Sequence, residues 1–333
     1  MALAKRVVRT ARSACTVIAD ASLVRRGVYV QEEHMAEVLA TLSNELASVV
    51  TSAGASVARV DARNRMPASG IVWSADGVIV TASHAVERED NIGIGFGDEQ
   101  TTSAALVGRD PTTDIAVLRA QSHGLKAPGW SDMERLRVGH LALALGRPGK
   151  TVLATHGIVS ALGDSWRTPG GGRIDRYLQT DAPMHPGFSG GPLVDVSGHF
   201  IGLNTSGMMR GSSLTIPAST VKRVVETLLA HGKVRRGYLG VAAQPVRLPE
   251  AIASQLGQET GLLLVSIERG GTAEQSGLVL GDTIVSIEGQ PVRHLDDLLT
   301  VLGPDRIGAE LPARALRSGQ LQEFRLRVGE RGE

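Results

Sequence analysis

"HPGFSGGPL", residues 185–193, sets a serine among glycines with a proline on either side. A surface turn would accept the glycines. It would need neither Phe188 ahead of the serine nor an apolar strand, residues 192–194, straight after it. The pattern instead presents Ser189 to a partner, with small neighbours that let another backbone come close. Serine is a weak nucleophile at neutral pH. It needs a base within hydrogen-bond reach, and the base needs a group that fixes its tautomer. "VTASHAV" places His84 directly after a buried-looking strand, and "DPTTDIAVL" places Asp114 just before another. A lone His or Asp in such a position is usually structural. The order His, Asp, Ser, spread over one strand-rich region and ending in "GFSGGPL", makes catalysis the better reading.

Outward from this stretch, the hydrophobic pattern divides the chain. Residues 32–50 carry Met35, Val38, Leu39, Leu42, Leu46 and Val49 at helical spacing, which predicts one amphipathic helix. From there to Val159 the period shortens into β-rich runs at 56–60, 70–73, 77–81, 115–119 and 141–145, cut by Gly, Asp and Pro. Many short strands separated by turn signals predict a barrel or sandwich. Asp76-Gly77 is a hairpin signal between two of them. At residue 219 the period changes again. Ser219 is the candidate N-cap of a helix with a stripe of Val221, Val224, Val225, Leu228 and Leu229, ended by Gly232. The basic run 233–236 then reads as a linker. Beyond it, strands alternate with a short helix and tight turns. The expected division is therefore a basic extension (1–30), a mostly β domain (31–218), a helix and linker (219–236) and a small α+β domain (237–330).

The chain has 333 residues, with Lys+Arg 35 against Asp+Glu 34, so no overall field favours nucleic acid. Its one cysteine, Cys15, can form no internal disulfide. Its nine histidines show no HExxH spacing, and no CxxC occurs, so neither a metal nor a cofactor is expected. The start of the chain holds Lys5, Arg6, Arg9, Arg12, Arg25 and Arg26 against only Asp20. Arg9, Arg12 and Ser13 interrupt any apolar core of a secretory signal, and a solvated or mobile extension is favoured over an organelle transit peptide. No stretch is long and apolar enough to span a bilayer. The compartment stays open.

"VTASHAV", "DPTTDIAVL", "LGRPGKTVLATHGIVSALG", "QTDAPMHPGFSGGPLVDVSGHFIGLNTS" and "IPASTVKRVVETLLAHGKVRRGYLGV" closely resemble the HtrA/Deg family of serine proteases, over about residues 32 to 325. The resemblance implies a chymotrypsin-like double β-barrel followed by a PDZ domain. It makes His84 the general base, Asp114 its orienter and Ser189 the nucleophile, with the backbone N–H groups of Gly187 and Ser189 as the oxyanion hole. It maps the walls of the S1 pocket to Met184, Met208 and Ser212. Pro183 stands where digestive trypsin-like enzymes place an Asp, so an apolar pocket is expected. "RRGYLGV" resembles the carboxylate-binding loop of a PDZ domain. Tyr238 opens that loop, and the amides of Leu239, Gly240 and Val241 would hold a peptide's C-terminus.

The resemblance further implies as partners unfolded protein substrates, C-terminal peptides and two further copies of the chain in a homotrimer, with Tyr29 and Val30 near the contact. Two positions depart from the family: Phe188 where Asn is usual, and Asp164 where an Arg often relays activation, at the head of the loop "DSWRTPGGGR". They leave room for an alternative, a proteolytically weak or inactive chaperone or scaffold. An esterase is disfavoured, because its serine more often sits on a strand–turn–helix elbow in an α/β sheet.

Overall fold

In the computed structural model, residues 21–97, 101–208 and 213–330 are described, with backbone alone for 21–34 and 304. Cys15 and the first twenty residues of the basic extension lie outside them. The predicted amphipathic helix is α1 (Ala21–Gly54). Its apolar stripe has two fates. Leu46, Val49, Val50 and Ala53 pack into the core, whereas Met35, Val38, Leu39 and Leu42 remain exposed. Its last carbonyl, on Gly54, accepts a hydrogen bond from the Arg147 guanidinium at 2.9 Å. That satisfies one of the carbonyls a helix end leaves without an intrahelical partner.

Six strands follow: β1 (Val57–Asp61), β2 (Ala68–Val72), β3 (Val78–Ala82), β4 (Ile92–Gly95), β5 (Thr102–Asp110) and β6 (Ile115–Ala120). They close into a barrel in the order β1-β2-β3-β6-β5-β4. Gly77, with φ of +97°, turns β2 into β3 as its Asp-Gly signal predicts. Strand β3 shows why its sequence is apolar throughout. Ile79 turns into this barrel, while Val78, Val80 and Ala82 face a second core shared with the rest of the domain. Alternate side chains leave opposite faces of a strand, and here both faces are buried.

The second barrel uses β7 (Leu141–Gly146), β8 (Leu153–Gly163), β11 (Tyr177–Thr180), β12 (Pro192–Asp195), β13 (Phe200–Thr205) and β14 (Leu214–Pro217). It closes in the order β11-β14-β13-β12-β7-β8. A ribbon of β9 (Trp166–Arg167) and β10 (Arg173–Ile174) projects from it.

Helix α2 (Ala218–His231) seals the joint, sending Val221, Val224, Val225 and Leu228 into the shared core. Ser219 is not its N-cap. That position is Pro217, and Ser219 lies exposed in the first turn. Strand β14 runs straight into the helix, and the fixed φ of Pro217, −65°, makes the corner without a side-chain cap. Gly232 ends the helix as predicted, at φ of +72°, its N–H bonded to the Leu228 carbonyl.

The C-terminal unit has its own core around Leu262, Leu264, Ile284, Ile287 and Leu326. Its elements are β15 (Gly237–Tyr238), β16 (Val241–Arg247), α3 (Glu250–Leu256), β17 (Thr260–Ile267), α4 (Thr272–Gln275), β18 (Thr283–Ile287), β19 (Gln290–Pro291), α5 (Leu295–Val301), β20 (Glu310–Arg317), β21 (Gln320–Arg327) and β22 (Gly329–Glu330). The sheet runs β16-β17-β18-β20-β21, so β16 is an edge strand. The buried Asp282 carboxylate meets the Arg317 guanidinium at 2.7 Å and accepts the Val279 N–H. Burial alone would raise its pKa, but the Arg317 and Val279 hydrogen bonds and the Arg317 charge hold it below the ordinary carboxylate value. Among the described residues no helix is long and apolar enough to cross a membrane.

Candidate active site

The first barrel supplies a histidine and a carboxylate. His84 sits in a single 3₁₀ turn, Ser83–Ala85, immediately after β3. Asp114 stands between β5 and β6 at φ of +56°, in the left-handed region that few non-glycine residues enter. That conformation aims its carboxylate back at the turn. His84 Nδ1 lies 3.0 Å from Asp114 Oδ1 and 2.8 Å from Oδ2, and the His84 backbone N–H donates to Oδ1 at 2.9 Å. Thr205 Oγ1, at the end of β13, donates to Asp114 Oδ2 and in turn accepts the Gly207 N–H at 3.0 Å. Asp114 is 5% exposed. A buried carboxylate held by so many donors fixes the Nδ1–H tautomer of His84 and leaves Nε2 free to take a proton.

The serine comes from the second barrel, on the loop between β11 and β12, and is stitched to both barrels. Its carbonyl accepts the Ser69 N–H from β2 at 3.1 Å. Ser69 Oγ donates to the Gly187 carbonyl at 2.6 Å and accepts the Arg147 N–H at 2.7 Å. On the other side, the Gly190 N–H reaches the Asn204 carbonyl at 2.9 Å, and the Asn204 N–H reaches that of Gly191 at 2.8 Å. The two glycines after the serine are required by this crowding. A Cβ on Gly190 would lie 2.1 Å from the Ser69 carbonyl oxygen, and one on Gly191 would lie 2.2 Å from that of Leu145.

Phe188 does not point into the site. It is fully buried in the second barrel's core with Leu178 and Leu193, edge-on to His185 at 5.6 Å. Gly146 makes the space, since a Cβ there would meet the phenyl ring at 2.7 Å. The Phe188 N–H is turned to the His185 carbonyl at 3.0 Å. Gly187 takes φ of +90°, and among the described residues neither its amide nor that of Ser189 has a protein acceptor. Ser189 Oγ pairs with Ser206 Oγ at 3.0 Å, and no hydrogen bond joins it to His84.

A cleft of about 480 Å³ opens beside the His84–Asp114 pair. His84, Glu87, Arg109, Asp114, Thr168 and Met208 line it. Met208 thus lines the cleft beside the His84–Asp114 pair, while Met184 packs half-buried against the core around Phe188. Ser212 lies outside the described residues. Among those residues no group of three or more His, Cys, Asp or Glu could hold a metal ion.

In the C-terminal unit, Tyr238, Leu239, Gly240 and Val241 form the turn from β15 into β16. Leu239 is buried, its carbonyl accepts the Ala273 N–H, and Gly240 has φ of +73°. This unit is tied back to the site by two arginines that the sequence reading did not single out. Arg236, in the linker, grips the buried Asp110 carboxylate at 3.2 and 2.9 Å and donates to the Gly171 carbonyl at 3.1 Å. Asp110 also accepts from Thr112 and Thr113, on the loop that ends in Asp114. Arg167, in β9, donates to Thr300 Oγ1 of α5 at 3.1 Å and lies 3.8 Å from Asp296. Asp164 itself is exposed. A cation three residues further on therefore meets the C-terminal unit in spite of the charge reversal.

Two barrels with a His-Asp-Ser constellation at their seam define the trypsin-like serine protease class, and a PDZ unit is appended to it. Residues 68–203 match the trypsin-like peptidase domain family, and residues 237–328 match the PDZ domain family. The chain is 36% identical over 267 residues to a probable periplasmic serine endoprotease, DegP-like, of Pseudomonas putida (strain W619), covering 78% of this chain and 55% of that protein. It is equally 36% identical over 276 residues to the protein of the same description in Rhizobium meliloti (strain 1021), covering 80% and 54%. The chain thus spans about half the length of the curated relatives it matches. Among solved structures, the HtrA-type protease AlgW with a tripeptide superposes with a TM-score of 0.69 at 33% identity, covering 86% of this chain and 97% of that one. The serine endoprotease from Yersinia pestis gives a TM-score of 0.70 at 28% identity, covering 85% and 97%. The chain belongs to the HtrA-type serine protease family.

Proposed function

We propose that the protein is an endopeptidase for unfolded or damaged polypeptides, with His84 as general base, Asp114 as its orienter and Ser189 as nucleophile. The observation that carries this reading is the His84–Asp114 pair, with Nδ1 bound to a buried carboxylate and Nε2 left for the serine proton. The amides of Gly187 and Ser189 serve as the oxyanion hole. Their want of a protein acceptor supports this, because donors kept for the developing oxyanion need no reorganisation during reaction. Pro183, Met184 and Met208 favour cleavage after small or medium apolar residues such as Val, Ala, Ile or Leu, with Ser212 as the third wall of the pocket. Peptide mapping of an unfolded model protein tests both points together, with Ser189→Ala as the control. Cuts dominated by Lys or Arg would rule out the apolar pocket.

The PDZ unit binds the C-terminus of an extended peptide along the open edge of β16, with the carboxylate held by the amides of Leu239, Gly240 and Val241. Occupancy regulates the protease through Arg236 and Arg167, which join the linker and α5 to the loops around Asp114. Self-association as a homotrimer is the third element. The exposed stripe of Met35, Val38, Leu39 and Leu42 on α1 offers apolar surface for it, whereas the side chains of Tyr29 and Val30 lie outside the description. A monomeric mass by light scattering at micromolar concentration would exclude it.

A further inference from the structure

Residues 205–208, where β13 leaves the sheet, touch every member of the triad. Thr205 donates to Asp114, Ser206 Oγ meets Ser189 Oγ at 3.0 Å, and Gly207 lies so close to His84 that a Cβ would be 2.7 Å from Nδ1. The first and third contacts serve the base, but the second works against the transfer that starts catalysis. A serine hydroxyl has one proton and two lone pairs. For Ser189 to react, its proton must point at His84 Nε2; Ser206 Oγ lies 3.0 Å from Ser189 Oγ, and while the Ser189 proton is donated there it is withheld from His84.

We propose that Ser206 is a positioning residue that holds the Ser189 hydroxyl in a resting orientation away from His84, and that substrate must break this pair before acylation. The inference rests on the protease reading above. Its strength follows from the chemistry of the pair. A neutral hydroxyl–hydroxyl bond between a half-buried and an exposed residue is weak, so it slows the nucleophile without disabling it. The pair is also lost on acylation, since the Ser189 oxygen then carries no proton to donate to Ser206. Ser206 therefore favours the free enzyme over the acyl-enzyme.

The test uses a fluorophosphonate probe on the full chain. In that reaction the Ser189 Oγ–P bond forms, the P–F bond breaks with loss of fluoride, and the serine proton passes to His84 Nε2. Ser206→Ala should label about two- to tenfold faster than wild type, the scale of one net hydrogen bond. Ser206→Thr, which keeps the hydroxyl, should label at the wild-type rate. An unchanged or slower Ser206→Ala, or a Ser206→Thr as fast as Ser206→Ala, would overturn the inference while leaving the protease reading intact. If wild type were labelled no faster than Ser189→Ala, the protease reading itself would fall and take the inference with it.

Discussion

His84 and Asp114 share three close contacts with each other, whereas Ser189 shares none with either and turns its hydroxyl to Ser206. The base pair is built wholly within the first barrel, from a turn after β3 and the β5–β6 connection. Ser189 comes from the second barrel, and among the described residues its own hydrogen bond to the first barrel is the one from the Ser69 N–H. One half is thus assembled within one barrel, with its carboxylate buried and its imidazole half-exposed. The other hangs on contacts across a seam and on a hydroxyl rotor.

The sharpest break in this comparison is Ser189→Ala, which should lower turnover by about a million-fold, the scale seen when a serine protease loses its nucleophile. Circular dichroism and peptide binding should stay as in wild type. Asp114→Asn comes next, at about ten-thousand-fold in kcat, because an amide would favour the wrong His84 tautomer. Gly207→Ala separates chemistry from position. Its methyl would push on the His84 ring, and a displacement of that kind costs on the order of a hundred-fold in kcat/KM.

Arg236→Ala reaches the base half from outside. Coupling between sites is commonly about five- to 150-fold, and in this variant the ratio of kcat/KM with and without a C-terminal peptide should fall towards one, while calorimetry still reports peptide binding. An undiminished ratio would place the coupling elsewhere. Asp282→Asn is the remote control, with the smallest effect on the chemistry. The folded pKa of Asp282 is depressed, so its stabilisation is present above the unfolded carboxylate value of about 3.9 and is lost as pH falls through the lower folded value. The variant should melt a few degrees lower near neutral pH and converge with wild type in acid, with kcat unchanged.

The base half was also the more legible in the sequence. His84 and Asp114 each flank an apolar strand, and strand ends are local facts. Ser189 declared itself through glycines whose need is steric and local too. The end of α2 at Gly232 was readable for the same reason. What stayed hidden depends on closure of the barrels. Thr205 looks like any threonine ending a strand until β13 lies beside the β5–β6 loop. Ser69 lies 118 residues before its partner Gly187 beside Ser189. The basic run 233–236 read as a linker, yet one of its arginines carries the best-formed contact to the Asp110 loop. Phe188 stood out as an oddity, and only Gly146, on a strand of another hairpin, explains where its ring goes. The expected cap at Ser219 failed because a proline two residues earlier already sets the corner.

That His84 and Asp114 come from one barrel and Ser189 from the other also bears on how the protein is made. On the ribosome, the base and its carboxylate emerge some seventy-five residues before the serine, in a barrel that holds no nucleophile of its own. The second barrel, when it follows, holds no base. Neither half can cut the nascent chain or its neighbours. The His84–Asp114 pair and Ser189 come together only when the two barrels dock and the Ser69 bridge closes, so on the proposed reading the order of synthesis itself keeps the site unassembled until the second barrel is made.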